Sequence, residues 1–249
     1  MSGHSKWSTI KRQKGANDAK RSQLFTKLAR EITIAARQGE PDPQTNPTLR
    51  LAVQKAKDNN MPTDNIDRAI KRASGPSEAA QLNKVVLEGY GPGGSAILLH
   101  ALTDNRNRTI SEVRSVFNRN AANIGESGCV NWMFEPKGVI VVSAGNIDTE
   151  ELALIAIDVG ADDFKIDVKT IEIYTNPQDL EVVRNALEKR GVIIESAELS
   201  QIPKTMINLD EDSALQILKL MDKLEDLDDV QHVYTNADFP DEVLDKYQG

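Results

Sequence analysis

The side chains able to do chemistry are unevenly spread along this chain, and the densest group is cationic. Between residues 3 and 37 stand Lys6, Lys11, Arg12, Lys14, Lys20, Arg21, Lys27, Arg30 and Arg37 against only Asp18 and Glu31, while the whole chain carries a formal charge of −8. Ammonium and guanidinium groups at that density suit the displacement of counterions from a phosphate polymer. A solvated helix face is the competing reading, because a charge run is often no more than that. Three features favour the polyanion. The cluster begins in a stretch containing Gly3, Ser5, Gly15 and Asn17 that reads as mobile. Trp7 sits among the cations, where its flat ring can stack on a base or a guanidinium plane. Acids that would pair the charges at helical spacing are almost absent. The expected nucleic-acid contacts are therefore Lys6, Trp7, Lys11, Arg12, Lys14, Lys20, Arg21 and Lys27. Arg68, Lys71 and Arg72, and separately Arg106 and Arg108, are candidates for a second contact; Arg106 and Arg108 are also explained by pairing with Asp104 or Glu88 to hold their loop.

No catalytic constellation accompanies these cations. His4, His100 and His232 lack a Cys, His or carboxylate at metal-ligand spacing. A Walker loop, a Ser-His-Asp order with an elbow motif, and a His/Glu helix pair are all missing. The lone Cys129 follows Gly128 with no basic neighbour in sequence, which suits a structural thiol better than a nucleophile. Gly89-x-Gly91-x-x-Gly94 has the letters of a dinucleotide fingerprint, but a β-type run follows it instead of a helix, so a hairpin loop is expected. The expectation is a protein that is not an enzyme, with no cofactor, no metal and no small-molecule substrate.

The elements that must position the cations follow from composition and period. At 249 residues, 39% apolar and 27% charged, the chain has ordinary globular composition and room for two or three domains. One cysteine excludes an internal disulfide and fits a reducing compartment. The charged start is unlike a secretory signal, and the apolar runs are too short to cross a bilayer, so a cytoplasmic protein without membrane contact is expected. Charge divides along the chain: residues 1–74 hold 15 basic and 7 acidic side chains, leaving 15 basic and 31 acidic for residues 75–249. A basic binding module on an acidic support is the natural reading.

Apolar residues at helical spacing predict three short helices in residues 1–78. The first carries Leu24, Phe25, Leu28, Ile32, Ala35 and Ala36 inward, with Asn17 or Asp18 as cap. The second opens on Asn46-Pro47 and ends at Asn59-Asn60, and the third buries Ile66, Ala69, Ile70 and Ala73. From residue 82 the period alternates. Lys84–Tyr90 and Ser95–Thr103 read as paired strands, a helix follows a Thr109/Glu112 capping box, and a strand runs through Val130, Trp132 and Phe134. Residues 138–203 then spell β-α-β-β-α-β, the split βαβ or ferredoxin-like plan, with a helix opening at Asn176-Pro177. Residues 204–249, with a helix from Asp212 to Leu224 and a strand from Val230 to Thr235, are too little for a domain and complete residues 79–137. The fold class is thus α+β: an N-terminal three-helix domain and two α/β domains, the last (138–203) inserted into the middle one (79–137 plus 204–249). The run Glu225-Asp226-Leu227-Asp228-Asp229 reads as a solvated acidic turn.

Several of these stretches resemble the YebC/PmpR family: Gly3-His-Ser-Lys-Trp7, Phe25-Thr-Lys27, Asn60-Met-Pro62, Asn65 to Lys71, Glu88 to Gly94, Thr103 to Thr109 and Phe134 to Gly138. The resemblance covers nearly the whole chain. It implies three domains without cofactor and a probable DNA-binding transcriptional regulator; the alternative it offers is a ribosome-associated translation factor that binds ribosomal RNA and eases elongation through proline-rich stretches. Lys6, Trp7, Lys11, Lys14 and Arg21 would then be contacts. One departure stands out. The family pattern leads one to expect Gly-Gly where this chain has Ala121-Ala122, so Asn123 is expected to supply the left-handed residue that ends the preceding helix.

Overall fold

A computed structural model describes residues 18–74, 82–143, 149–166 and 170–247. The chain divides into two compact units, one of residues 135–202 and one of the residues on either side of them.

In the larger unit, helices α1 (Asp18–Gln38), α2 (Pro47–Asp58) and α3 (Thr63–Ser74) close around Leu28, Ile32, Leu49, Ala56, Ile66 and Ala69, all buried. Each large aliphatic side chain removed from water here contributes about 1.5–3 kcal/mol. The turn between α1 and α2 is set by Asn46. Its Oδ1 accepts from the Leu49 backbone N–H at 3.0 Å and caps α2, while Nδ2 donates to the carbonyls of Ala35 at 2.8 Å and Glu40 at 2.9 Å. A Cβ at Gly39 would lie 2.6 Å from that amide nitrogen, so glycine is required there.

A four-stranded sheet follows in the order β3-β1-β2-β9, built from β1 (Asn83–Tyr90), β2 (Ala96–Thr103), β3 (Asn123–Ile124) and β9 (Val230–Thr235). Helices α4 (Arg106–Arg119) and α7 (Glu211–Glu225) cover one face, where Val113, Phe117, Ile217 and Met221 join Ile97, Leu99 and Val233 in the core. Gly89 and Tyr90 end β1, and residues 91–95 form the β1–β2 hairpin loop, with Gly93 at φ 65° and Gly94 at φ 75°. A second short sheet pairs β8 (Ile207–Asn208) with β10 (Ala237–Asp238), and the short helix α8 (Asp241–Lys246) follows.

The 135–202 unit carries a sheet ordered β5-β6-β4-β7, where β4 is Phe134–Ser143, β5 Asp163–Ile166, β6 Thr170–Thr175 and β7 Ile194–Pro203. With α5 (Thr149–Asp158) after β4 and α6 (Leu180–Lys189) after β6, this is the split βαβ arrangement. Strand alternation puts Ile140, Val142, Ile171 and Ile173 on one face, all buried.

Four local expectations are corrected. The α4 cap is Asn105, whose side chain accepts from the Arg108 N–H at 3.1 Å; Thr109 is buried one turn inside the helix, where its hydroxyl serves the loop instead. Residues Asn131–Met133 form a 3-10 turn, not a strand, because the Glu88 carboxylate takes the N–H groups of Gly128, Val130 and Asn131 and curls the chain around itself. Burial would raise that carboxyl, but the three donors hold it below the usual carboxylate range. The α6 helix opens at Leu180 with Asp179 before it; the Asn176 carbonyl accepts the Asp179 N–H in a preceding turn, and the Asn176 side-chain amide donates to Asp162 Oδ1 at 3.1 Å. Finally, the residue in left-handed conformation after α4 is Ala121, at φ 51°, and Asn123 lies in β3.

Candidate nucleic-acid interface

Along α1, the residues Gln23, Lys27 and Arg30 recur at helical spacing and reach the 225–229 turn that follows α7. Gln23 Nε2 donates to the Asp226 carbonyl and, at 3.4 Å, to Asp228 Oδ1. Lys27 Nζ donates to the Glu225 carbonyl. Arg30 donates to the Asp228 carbonyl and lies 3.0 Å from Asp229 Oδ1. The acidic run is therefore a dock for the helical domain, which corrects the solvated turn expected from its composition. Carbonyls at the end of α7 are unsatisfied and electronegative, so they attract cations even without the carboxylates.

Asp229 is the hub of this contact. Its side chain is 4% exposed and accepts from Arg30 at 3.0 Å, Arg108 at 2.7 Å, Thr103 at 3.0 Å and Thr109 at 2.7 Å. Burial would raise its carboxyl, but the hydrogen bonds from Arg108, Thr109 and Thr103 keep it below the usual range. Arg108 also meets Asp104 at 2.9 Å, so the pairing expected with Asp104 is present, and Asp229 stands where Glu88 was the other expected partner. A second contact joins the same bodies. Glu31 on α1 lies 3.3 Å from Lys55 on α2 and 3.2 Å from His232 on β9, whose ring stacks on Tyr234. Burial works against the Glu31 carboxylate, yet Lys55 and His232 bring it down to about 2. His100, opposite His232 across the strands, is pushed down to about 4, first by burial and then by its neighbours His232 and Lys84.

The remaining expected residues are placed as follows. Lys20 and Arg21 are exposed on the first turn of α1, Arg21 with its guanidinium 5.8 Å from the Phe25 ring centre. Neither has an acidic partner among the described residues. Lys6, Trp7, Lys11, Arg12 and Lys14 lie outside the described residues. On α3, Arg68 is exposed but bends back to the Asp64 carbonyl at 3.1 Å and to the Asn65 side chain, while Lys71 and Arg72 are exposed. Arg106 is exposed at the start of α4. Among the described residues no group of three or more His, Cys, Asp or Glu side chains is arranged to hold a metal, and no helix is long and apolar enough to cross a membrane. Sequence reasoning missed Gln23, Glu31, Lys55 and Asp229, whose partners lie up to 205 residues away.

Residues 5–76 match the family described as TACO1/YebC protein N-terminal domain, and residues 82–237 the one described as TACO1/YebC second and third domain. The chain belongs to the TACO1/YebC family. A protein of Dehalococcoides mccartyi, named probable transcriptional regulatory protein, is 58% identical over 99% of this chain and 98% of its own length. One from Geobacter sulfurreducens with the same name is 53% identical, with 99% of each chain covered. The crystal structure of a conserved hypothetical protein from Aquifex aeolicus superposes with a TM-score of 0.83 at 48% identity, covering 90% of this chain and 92% of that one. The chain is thus a regulator of the YebC type, with the mixed helix-and-sheet fold of that neighbour.

Proposed function

We propose that this chain is a nucleic-acid-binding regulator of gene expression that acts on duplex DNA, gripping phosphates with the basic head and the exposed start of α1. The observation that carries the reading is the unequal use of cations along one helix. Lys27 and Arg30 are held by the acidic turn, whereas Lys20 and Arg21 are exposed without acidic partners among the described residues. They adjoin a sequence stretch that adds Lys6, Lys11, Arg12 and Lys14, with Trp7 as a stacking surface. The dock on Asp229 fixes α1 to the sheet, so the gripping end is carried on a rigid support. The names of the relatives favour DNA and transcription as the setting.

Ribosomal RNA is the second reading, and one observation favours it. Arg68 spends its guanidinium on its own helix, which leaves Arg72 as the other arginine of α3 for bidentate base readout, too little for a full recognition helix. Equilibrium binding to a genomic promoter fragment, to random duplex and to structured RNA, beside sedimentation with ribosomes, separates the two. The DNA reading expects a preference for the cognate duplex over random duplex of order 10³ or more at physiological salt. A ratio near one, with salt-sensitive co-sedimentation, would replace it with the ribosomal reading.

A further inference from the structure

The acidic turn at 225–229 meets α1 with the same kind of groups that a phosphate backbone would present. Its carbonyl and carboxylate oxygens receive an ammonium from Lys27, a guanidinium from Arg30 and an amide from Gln23. These three residues and the exposed Lys20 share one stripe of the helix, since positions 20, 23, 27 and 30 are spaced by three and four. The stripe therefore begins open to solvent and ends covered by the protein's own acids. The cover is shallow. Arg30 keeps 26% of its side chain exposed, and Asp226 and Asp228 are exposed, so the pairs sit where water and a competing polyanion can reach them.

We propose that residues 225–229 act as an internal competitor for nucleic acid: they hold Lys27 and Arg30 in place of phosphates, and duplex DNA that has engaged the head and Lys20 displaces the turn from Lys27. The inference rests on the DNA-binding reading above and adds its regulation. DNA gains a cation that the protein had already partly satisfied, so the affinity of the intact chain lies below what its cations would otherwise give. Any change that weakens the turn's negative field raises affinity without adding a contact.

The test uses the full chain, random duplex DNA and fluorescence anisotropy at fixed salt. Asp226→Asn with Asp228→Asn leaves every backbone acceptor in place and spares the buried Asp229. Asp212→Asn with Glu195→Gln changes net charge equally but elsewhere, at exposed positions. The turn pair is expected to tighten binding about 10-fold near 0.1 M salt and the control pair less than about 3-fold, since local competition exceeds the effect of net charge. Lys27→Ala, made in both backgrounds and checked for folding by thermal melts, gives the decisive comparison. It is expected to cost about 3-fold in the natural chain and about 10-fold in the turn variant, because contacts that compete for one group are not additive. An equal cost in both backgrounds, or equal tightening by both pairs, overturns the proposal. If binding depends on Lys11, Arg12 and Lys14 while Lys27→Ala costs the same in both, this inference alone fails; if no form binds duplex DNA, the DNA-binding reading fails with it.

Discussion

Replacing Asp229 by asparagine keeps the shape of the hub and removes its charge, and the structure sets the cost. Four donors converge on this carboxylate: Arg108 and Thr109 at 2.7 Å, and Arg30 and Thr103 at 3.0 Å. Arg108, Thr103 and Thr109 all meet Oδ2 and Arg30 alone meets Oδ1, so an asparagine that keeps its amide oxygen at Oδ2 turns its NH₂ group toward Arg30: that bond disappears and the other three lose their charge. A charge-assisted bond contributes about 1.5–3 kcal/mol and a buried hydroxyl left unpaired costs about 1–3 kcal/mol. Arg108 is 44% exposed and Arg30 26%, so both regain water, which offsets part of the sum. A destabilisation of about 2 kcal/mol is expected, from the lost Arg30 bond and from the missing negative charge where Arg108, Thr103 and Thr109 converge. Urea unfolding at pH 7, followed by circular dichroism with the slope compared between variants, measures it. The acid limb is a second readout. The carboxyl is held below its usual value in the fold, so its contribution is complete above about pH 4 and is lost as pH falls below that through the folded pKa. The variant should therefore lose stability less steeply under acid. A cost under about 1 kcal/mol would mean that water already satisfies these groups, and the hub would be a surface contact.

Two further outcomes follow from the same geometry. Glu31→Gln should cost at most about 3 kcal/mol at neutral pH, because the carboxyl falls from 4.5 to about 2 on folding and each unit is about 1.4 kcal/mol. That contribution is full above pH 4.5 and fades as pH drops toward 2, so the natural chain and the variant should converge in acid melts; a constant difference down to pH 2 would contradict the assignment. Ala121→Gly should stabilise the chain by about 1 kcal/mol, since Ala121 sits at φ 51° and only glycine adopts that conformation without a Cβ penalty. A lower urea midpoint for that variant would show that the turn after α4 gains more from the methyl group than it loses in strain.

Most of the fold is legible in the sequence because its signals are local. The apolar spacing of Leu28, Ile32 and Ala35, the Asn46-Pro47 start and the continuous apolar run Val139–Val142 each act within one element. The mistakes share a cause: a side chain whose partner is distant in sequence. Thr109 has the pattern of a cap, but Asp229, 120 residues away, claims its hydroxyl. Val130 to Phe134 alternates like a strand, but the Glu88 carboxylate 42 residues earlier draws its N–H groups into a turn. The acidic run at 225–229 reads as solvated because its partners are not its neighbours in sequence: α1 brings Lys27 and Arg30 to it across about 200 residues. At the site, charge density alone singles out the basic head and α1. It does not tell which α1 cations serve docking, since Lys20 and Lys27 are the same residue type and differ only in what packs beside them.

The central claim is that the cations of the head grip phosphate, and the salt dependence of binding tests it most directly. Lys11→Ala, Arg12→Ala and Lys14→Ala made together in the full chain should lower the slope of log K against log salt on duplex DNA by about two to three, since each phosphate no longer neutralised removes about 0.9 from it. An unchanged slope, with the natural chain still binding, would place the phosphate grip elsewhere on the molecule.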